Sequence, residues 1–221
     1  MPSTAVPSEV TSAPHLILAS SSPRRIDLIK NLGLKFEILP SDVDEVVDAA
    51  LTPSQVVAEL AESKAIRVKE LIQERGGALA QSHHVILAAD TIVVFEGDIL
   101  GKPTDRDHAI TMLTRLVGNT HEVYTGVHVI SVNQTFANQP TVVAHHEIEV
   151  AKVEFRKLSA TEIATYVDSK EPMDKAGSYA LQGIGAFMIN KIEGSPSNII
   201  GLPLVLTVNL LRKCGMQIMG E

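Results

Sequence analysis

Short apolar strands alternate with amphipathic helices along this chain, and this alternation constrains its fold more than any other feature. The run HLILAS predicts a buried strand. A helix follows it, with Ser22 at the N-cap, Pro23 in the first turn and Gly33 at the end. KFEILP predicts a second strand, and a long helix with a continuous apolar stripe begins at Thr52.

The same alternation continues to the C-terminus. HVILAADTIVVF predicts a long apolar strand that ends in a tight hairpin at Gly97. A helix over about residues 105–116 follows, with Thr104 as its cap, and two long strands joined by NQTFANQP come next. A helix that begins with a capping box, an irregular glycine-rich stretch, a strand and a final helix complete the chain. These elements predict the α/β class with a mixed sheet.

Composition and charge exclude several classes of protein. The 221 residues are 45% hydrophobic, which is typical of a globular protein, and we expect one domain over residues 15–221. No apolar run approaches the roughly 20 residues that span a bilayer. The net charge of −7 disfavours nucleic acid and acidic membranes as general partners. Residues 1–14 lack the pattern of a targeting peptide and predict a disordered tail.

The few thiol and imidazole groups also limit the possible chemistry. The single cysteine, Cys214, allows no internal disulfide and indicates a reducing compartment, so we expect a cytoplasmic location. It lies on an apolar segment and is expected to be a packed thiol. No Cys/His cluster has the spacing of zinc ligands, and the pairs His83–His84 and His145–His146 are expected at the surface.

The junction LASSSPRR concentrates hydroxyl groups and positive charge where a helix begins. The residues Ser20 to Ser22 lead into a helix N-terminus, which offers backbone N–H groups and the positive end of the helix dipole. Arg24 and Arg25 add planar guanidinium groups that match phosphate oxygens. The alternative is an ordinary capped helix with two solvated arginines. The P-loop glycines are absent.

Asp90 interrupts a strongly apolar strand. A charged side chain there is costly unless it has a partner or a chemical role, and carboxylates at such positions bind metals or activate water. The alternative is a strand edge where Asp90 faces solvent.

Further charged candidates are Lys64, Lys102 and Lys175, with Asp174 beside the last of these. Each lysine taken alone fits a solvated surface charge. Acidic side chains are concentrated in the turn SDVDE, where carboxylate oxygens are suitable ligands for a hard divalent cation. A solvated acidic turn is again the alternative.

Seven short motifs occur in order: LASSSPRR, ESKA, AADTIV, LGKP, YTGV, EPMDKAGSYALQG and GLPL. From Leu16 to the C-terminal helix they resemble the Maf family of nucleoside triphosphate pyrophosphatases. The resemblance implies an elongated mixed sheet flanked by helices, with two lobes, a central cleft and a fold similar to inosine triphosphate pyrophosphatases. It also implies hydrolysis of nucleoside triphosphates to monophosphate and pyrophosphate with a divalent cation, Mg²⁺ or Mn²⁺.

The resemblance implies a role for each matched residue. Asp90 matches the proton acceptor that activates the attacking water. Glu45 matches an acidic position near the metal, where Asp44 is an alternative, so Glu45 and Asp90 are the expected metal ligands. Ser20 and Ser22 match the loop that lines the phosphates. The positive groups expected along the substrate are Arg25, Lys64, Lys102 and Lys175.

The resemblance also indicates a substrate branch. One branch of the family acts on dTTP and UTP, and another prefers 7-methyl-GTP. Arg24, Thr91 and Gln182 match the three positions that distinguish the first branch. The amide of Gln182 supplies both a donor and an acceptor for a pyrimidine edge. LVGNTH and Pro196 depart from the family pattern at positions outside the assigned site.

The sequence leaves a second class of function open. The family name comes from an effect on septum formation, so the alternative is a regulatory nucleotide-binding protein that influences cell division. The presence of Asp90 together with Lys64 and Lys102 favours an enzyme. A metabolic kinase is disfavoured because P-loop and kinase motifs are absent. Homodimers occur in the family, and we expect one here.

Overall fold

A mixed sheet of seven strands forms the centre of the molecule, and the buried strand β3 (His84–Phe95) runs through its middle. The computed structural model describes residues 13–43, 48, 50–134 and 140–220. Most of the predicted tail and the predicted ligand Glu45 therefore lie outside the described residues. The α/β class with a mixed sheet flanked by helices is confirmed.

The other elements follow the predicted order. The strands are β1 (His15–Leu18), β2 (Phe36–Ile38), β4 (Asp98–Leu100), β5 (Thr120–Gln134), β6 (Pro140–Phe155) and β7 (Ile189–Glu193). The helices are α1 (Pro23–Asn31), α2 (Pro53–Arg75), α3 (Gly77–Ala80), α4 (Arg106–Leu116), α5 (Ala160–Asp168), α6 (Pro196–Ile200) and α7 (Leu204–Lys213). The sheet order is β2-β1-β3-β5-β6-β7, with β4 paired to β3.

One edge of β3 pairs with β5 along almost its whole length. The other edge pairs with neighbouring strands only near its two ends. β1 runs parallel to residues 84–87 of β3, and β4 runs antiparallel to residues 93–95. Along residues 88–92 no strand of the described chain covers this edge. Ligands of open α/β sheets bind in such gaps beyond the strand ends, and the gap is where Asp90 and Thr91 lie.

Helices cover both faces of the sheet. On one face α2 packs along β3, against Ile86, Ala88 and Ile92. On the other face α1 and α7 pack near Leu87, whereas α4 and α5 pack near Val93. The predicted cleft is bordered by the start of α1, by α2 and by the loops after β1 and β4.

A glycine allows α2 to lie very close to the sheet. Gly126 on β5 is the register partner of Asp90. A Cβ at Gly126 would lie 2.3 Å from the carbonyl oxygen of Val57. The motif YTGV therefore has a packing role, because only glycine permits this approach of the helix that carries Lys64.

Two local predictions are wrong. The N-cap of α4 is Asp105, whose side chain accepts from the backbone N–H of His108, rather than Thr104. His84 is buried rather than at the surface, and its Nδ1 lies 2.9 Å from the carbonyl oxygen of Ser82. Cys214 is buried, as predicted for a packed thiol, and burial raises its pKa. Within the described residues, no helix has the length and apolar character needed to cross a membrane.

Candidate active site

A cleft of about 920 Å³ opens at the middle of β3, along the edge that β1 and β4 leave uncovered. Its walls come from the loop after β1, the N-terminus of α1, one side of α2, the loop after β4 and the segment before β7. Residues separated by more than 150 positions thus meet there. The cleft is lined by all ten predicted site residues that the structure describes: Ser20, Ser22, Arg24, Arg25, Lys64, Asp90, Thr91, Lys102, Lys175 and Gln182.

The side chain of Arg25 joins three parts of the cleft wall. Its Nε donates to the carbonyl oxygen of Gly201 at 2.8 Å, and its Nη2 donates to Thr91 Oγ1 at 3.2 Å. Its Nη1 lies 3.4 Å from Ser20 Oγ. Thr91 Oγ1 also shares a hydrogen bond with Thr125 Oγ1 at 2.9 Å. These contacts hold the guanidinium in one orientation, and such preorganisation lowers the entropy that a side chain loses on binding a ligand.

The start of α1 lies beside this guanidinium. Ser22 occupies the N-cap position and Pro23 the first turn, as predicted, but the Ser22 side chain makes no capping hydrogen bond. Ser20 Oγ instead accepts from the backbone N–H of Ser22 at 3.2 Å. The partial positive charge of a helix N-terminus and the charge of Arg25 therefore act on the same region of the cleft.

Asp90 and Lys64 form a buried ion pair at the base of the cleft. Lys64 Nζ lies 2.5 Å from Asp90 Oδ1, and the two residues are 8% and 6% exposed. The alternative in which Asp90 faces solvent at a strand edge is therefore wrong. Burying a carboxylate is tolerated when a cation pairs with it, and α2 supplies that cation.

Charged groups also meet across the mouth of the cleft. Asp174 accepts from Arg24 Nη1 at 3.3 Å and from Lys175 Nζ at 2.5 Å. Burial opposes ionisation, but Lys175 and Arg24 together hold the pKa of Asp174 below its usual range. Arg24 and Asp174 thus connect α1 to a segment 150 positions further along the chain.

The loop after β4 and the glycine-rich segment are tied together. The backbone N–H of Gly177 donates to the carbonyl oxygen of Gly101 at 3.1 Å. Lys102 follows directly and is exposed at the cleft. Gln182 is also exposed and lines the cleft, in the loop that follows the buried Tyr179.

Sequence reasoning missed several groups that hold the site in place. The carbonyl oxygen of Gly201 orients Arg25, and the hydroxyl of Thr125 supports Thr91. Thr125 Oγ1 also donates to the carbonyl oxygen of the buried Asn198. The motifs YTGV and GLPL contain Thr125 and Gly201, so both segments were visible as motifs, although their contacts were not.

The cleft offers carboxylate oxygens that suit a divalent cation. Among the described residues, no group of three or more His, Cys, Asp or Glu side chains is arranged so that it could hold a metal ion by itself. Asp90 presents a carboxylate, and Asp42 and Asp48 also line the cleft. Mg²⁺ commonly binds through one or two carboxylates together with water and substrate phosphates. The described residues fit a cation that binds together with a phosphate substrate, rather than a complete protein cage.

The fold and the cleft define an α/β protein in which positively charged side chains line a cleft beside a buried carboxylate–ammonium pair. The chain belongs to the Maf family, since the family model described as Maf-like protein matches residues 15–214. The dTTP/UTP pyrophosphatase of Caldicellulosiruptor bescii is 42% identical over 208 residues, which cover 94% of this chain and 98% of that protein. The dTTP/UTP pyrophosphatase of Desulforamulus reducens is 43% identical over 92% of this chain and 98% of that protein.

One match among solved structures is remote in sequence. The nucleoside-triphosphatase (dITP/XTP pyrophosphatase) of Mycobacterium abscessus is 11% identical, and the match covers 90% of this chain and 93% of that chain. The TM-score of this match is 0.29.

Proposed function

We propose that this protein hydrolyses dTTP and UTP to the nucleoside monophosphate and pyrophosphate, with a divalent cation and with water activated by Asp90. The observation that carries the proposal is the buried Asp90–Lys64 pair, which borders a cleft lined by Arg25, Lys102 and Lys175. The family and the names of the two relatives support a nucleotide substrate.

The positive groups of the cleft would bind the triphosphate. The oriented guanidinium of Arg25 suits a pair of phosphate oxygens, and Lys64 and Lys102 add point charges. Charge that develops on the departing pyrophosphate is stabilised by such fixed groups. A divalent cation, held by Asp90 and the acidic turn that contains Glu45, would further neutralise the phosphate oxygens.

Asp90 is assigned the role of general base. Its Oδ1 accepts from Lys64, so we assign Oδ2 to the proton of the attacking water. The proton moves to the carboxylate as the water oxygen bonds to the α-phosphorus. The bond from that phosphorus to the oxygen that bridges it to the β-phosphorus then breaks, and pyrophosphate leaves with the bonding electrons. The chemistry requires no covalent nucleophile, which agrees with a buried Cys214.

A regulatory nucleotide-binding protein is the weaker alternative, because a binding site alone does not need a buried carboxylate held by a lysine. The proposal also includes the cytoplasmic location and the homodimer expected from the sequence. Light scattering after gel filtration measures the oligomeric state.

A panel of nucleoside triphosphates with Mg²⁺, assayed for pyrophosphate release, tests the proposal. We expect dTTP and UTP to be preferred, EDTA to abolish turnover and added metal to restore it. Formation of nucleoside diphosphate and orthophosphate would contradict the cleavage position. Nucleotide binding without turnover would favour the regulatory alternative.

A further inference from the structure

Gln182 lines the cleft from a loop over residues 180–185. The carboxylate of Glu171 holds this loop in place. Its Oε1 accepts from the backbone N–H of Gly185 at 2.8 Å, and its Oε2 accepts from that of Ile184 at 2.9 Å. Oε1 also accepts from the Tyr166 hydroxyl at 3.0 Å. The carboxylate therefore anchors the C-terminal end of the loop over residues 180–185.

The N-terminal end of the same loop is tied to the same group through Tyr166. The Tyr166 hydroxyl accepts from the backbone N–H of Ala180 at 3.3 Å, and this tyrosine is only 2% exposed. Leu181 and Gln182, which both line the cleft, lie between the two anchored ends. A single network thus fixes the chain on both sides of Gln182.

The residue that follows Gln182 fits this arrangement closely. Gly183 has a φ of +107°, and a Cβ there would lie 2.4 Å from Glu171 Oε2. The glycine lets the carboxylate lie directly against the backbone of the loop. Burial opposes ionisation of Glu171, but the N–H groups of Gly185 and Ile184 and the Tyr166 hydroxyl lower its pKa overall. The acceptor therefore carries its charge at neutral pH.

The chemistry of the cleft assigns this loop to the nucleobase. The positive groups Arg25, Lys64 and Lys102 suit phosphates, whereas the Gln182 amide is neutral and offers a donor and an acceptor. We propose that Glu171 is a positioning residue for nucleobase recognition, which holds the loop over residues 180–185 so that Gln182 meets a pyrimidine edge. This inference rests on the proposed function.

The test compares Glu171→Gln with a matched control, Glu162→Gln, in the full chain. Glu162 also accepts from a backbone N–H, that of Ser159, and from Arg156, but these bonds cap α5 and do not involve the loop over residues 180–185. The amide of Glu171→Gln would place a donor against one of the N–H groups. Tyr166→Phe is a second variant, which keeps the ring, removes the hydroxyl bonds to Ala180 and Glu171, and leaves the two backbone N–H bonds of Glu171 in place.

The measured quantity is the ratio of kcat/KM for UTP to kcat/KM for GTP. We expect Glu171→Gln to lower this ratio about fivefold or more, mainly by raising KM for UTP, and Tyr166→Phe to lower it less. Glu162→Gln should leave the ratio unchanged even if it lowers Tm, because a less stable protein loses kcat/KM for UTP and for GTP by the same factor. Hydrogen exchange without nucleotide should be faster at the Ile184 and Gly185 amides of Glu171→Gln.

The outcomes separate this inference from the function on which it rests. An unchanged ratio in a folded, active Glu171→Gln protein would overturn the inference alone. An equal fall of the ratio in Glu162→Gln would also overturn it. A parent chain that releases no pyrophosphate from UTP would overturn the proposed function, and the inference with it.

Discussion

Lys64 on α2 and Asp90 on β3 lie 2.5 Å apart, nitrogen to oxygen, and each is less than a tenth exposed. The pair joins the helix on one face of the sheet to the middle of β3, where β1 and β4 leave one edge of the strand uncovered. A carboxylate there is costly without the ammonium, and the ammonium is costly without the carboxylate. The two residues should therefore depend on each other for stability, whereas activity should require both.

Asp90→Asn tests the role of the carboxylate. The substitution keeps the shape of the side chain and removes its basicity, and general-base contributions are roughly 10²–10⁴ in rate. We expect kcat for dTTP to fall by that factor. The free energy of unfolding should also fall, by less than the roughly 3–5 kcal/mol of a fully buried pair, because the cleft admits water.

The double variant Lys64→Met, Asp90→Asn supplies the control. It removes the unpaired ammonium, so urea unfolding should show a stability above that of Asp90→Asn alone, while activity stays low. A folded Asp90→Asn protein that hydrolyses dTTP near the parent rate would show that Asp90 is only structural.

Gln182→Leu separates recognition of the base from binding of the phosphates. Gln182 is exposed, so the substitution should not change Tm. Loss of a hydrogen bond to the base should lower kcat/KM for dTTP and UTP by about 5- to 150-fold relative to a purine nucleotide. Lys102→Ala is the matched control, since this exposed lysine lines the cleft. In the proposed function it contacts phosphates, which all nucleotides share, so its loss should affect all substrates alike. An equal loss on every substrate in Gln182→Leu would place Gln182 in the phosphate site or the scaffold.

The sequence predicts most of the elements because the period of its apolar residues is local. The long strand around Asp90 and the helix after Pro23 are both found where the pattern places them. The predicted N-cap of α4 was wrong because Thr104 and Asp105 are adjacent and both have side chains that can cap a helix.

The site could be predicted only as separate candidates. The motifs indicate which residues matter, but not that Arg24 reaches Asp174 or that Arg25 reaches the carbonyl of Gly201. Such contacts depend on which part of the β3 edge is left uncovered by β1 and β4. The periodicity of apolar residues along the chain does not predict which strands pair or where they end. Glu171 was missed for the same reason, because its partners are backbone N–H groups in another part of the chain.

Gly126→Ala tests whether the close approach of α2 positions Lys64. The added Cβ would lie 2.3 Å from the Val57 carbonyl oxygen, so the helix must move away. Val57 precedes Lys64 by about two helical turns, and the shift should lengthen the Lys64–Asp90 contact. We expect the free energy of unfolding to fall by about 1–3 kcal/mol and kcat to fall as well. A variant with parent stability and parent kcat would contradict this role of Gly126.

His121 should make the stability of the protein depend on pH. It is 1% exposed, its Nε2 lies 2.9 Å from the Tyr179 hydroxyl, and its Nδ1 has no hydrogen-bond partner among the described residues. Burial lowers its pKa from 6.5 to about 4. Between pH 6.5 and about pH 4, His121 is protonated in the unfolded chain but not in the folded chain. The free energy of unfolding is therefore unaffected by His121 above pH 6.5 and falls as the pH falls towards 4.

This loss should amount to roughly 3 kcal/mol, since one pKa unit corresponds to about 1.4 kcal/mol. His121→Gln keeps an acceptor for the Tyr179 hydroxyl and does not titrate, so its stability should lack this part of the slope. Urea unfolding of both proteins at several pH values across the window measures the difference. Other histidines, such as His84 and His128, also have pKa values lowered by burial and contribute equally to both proteins. Parallel plots of unfolding free energy against pH for parent and variant would contradict this prediction. They would show that His121 is protonated in the folded protein as readily as in the unfolded chain.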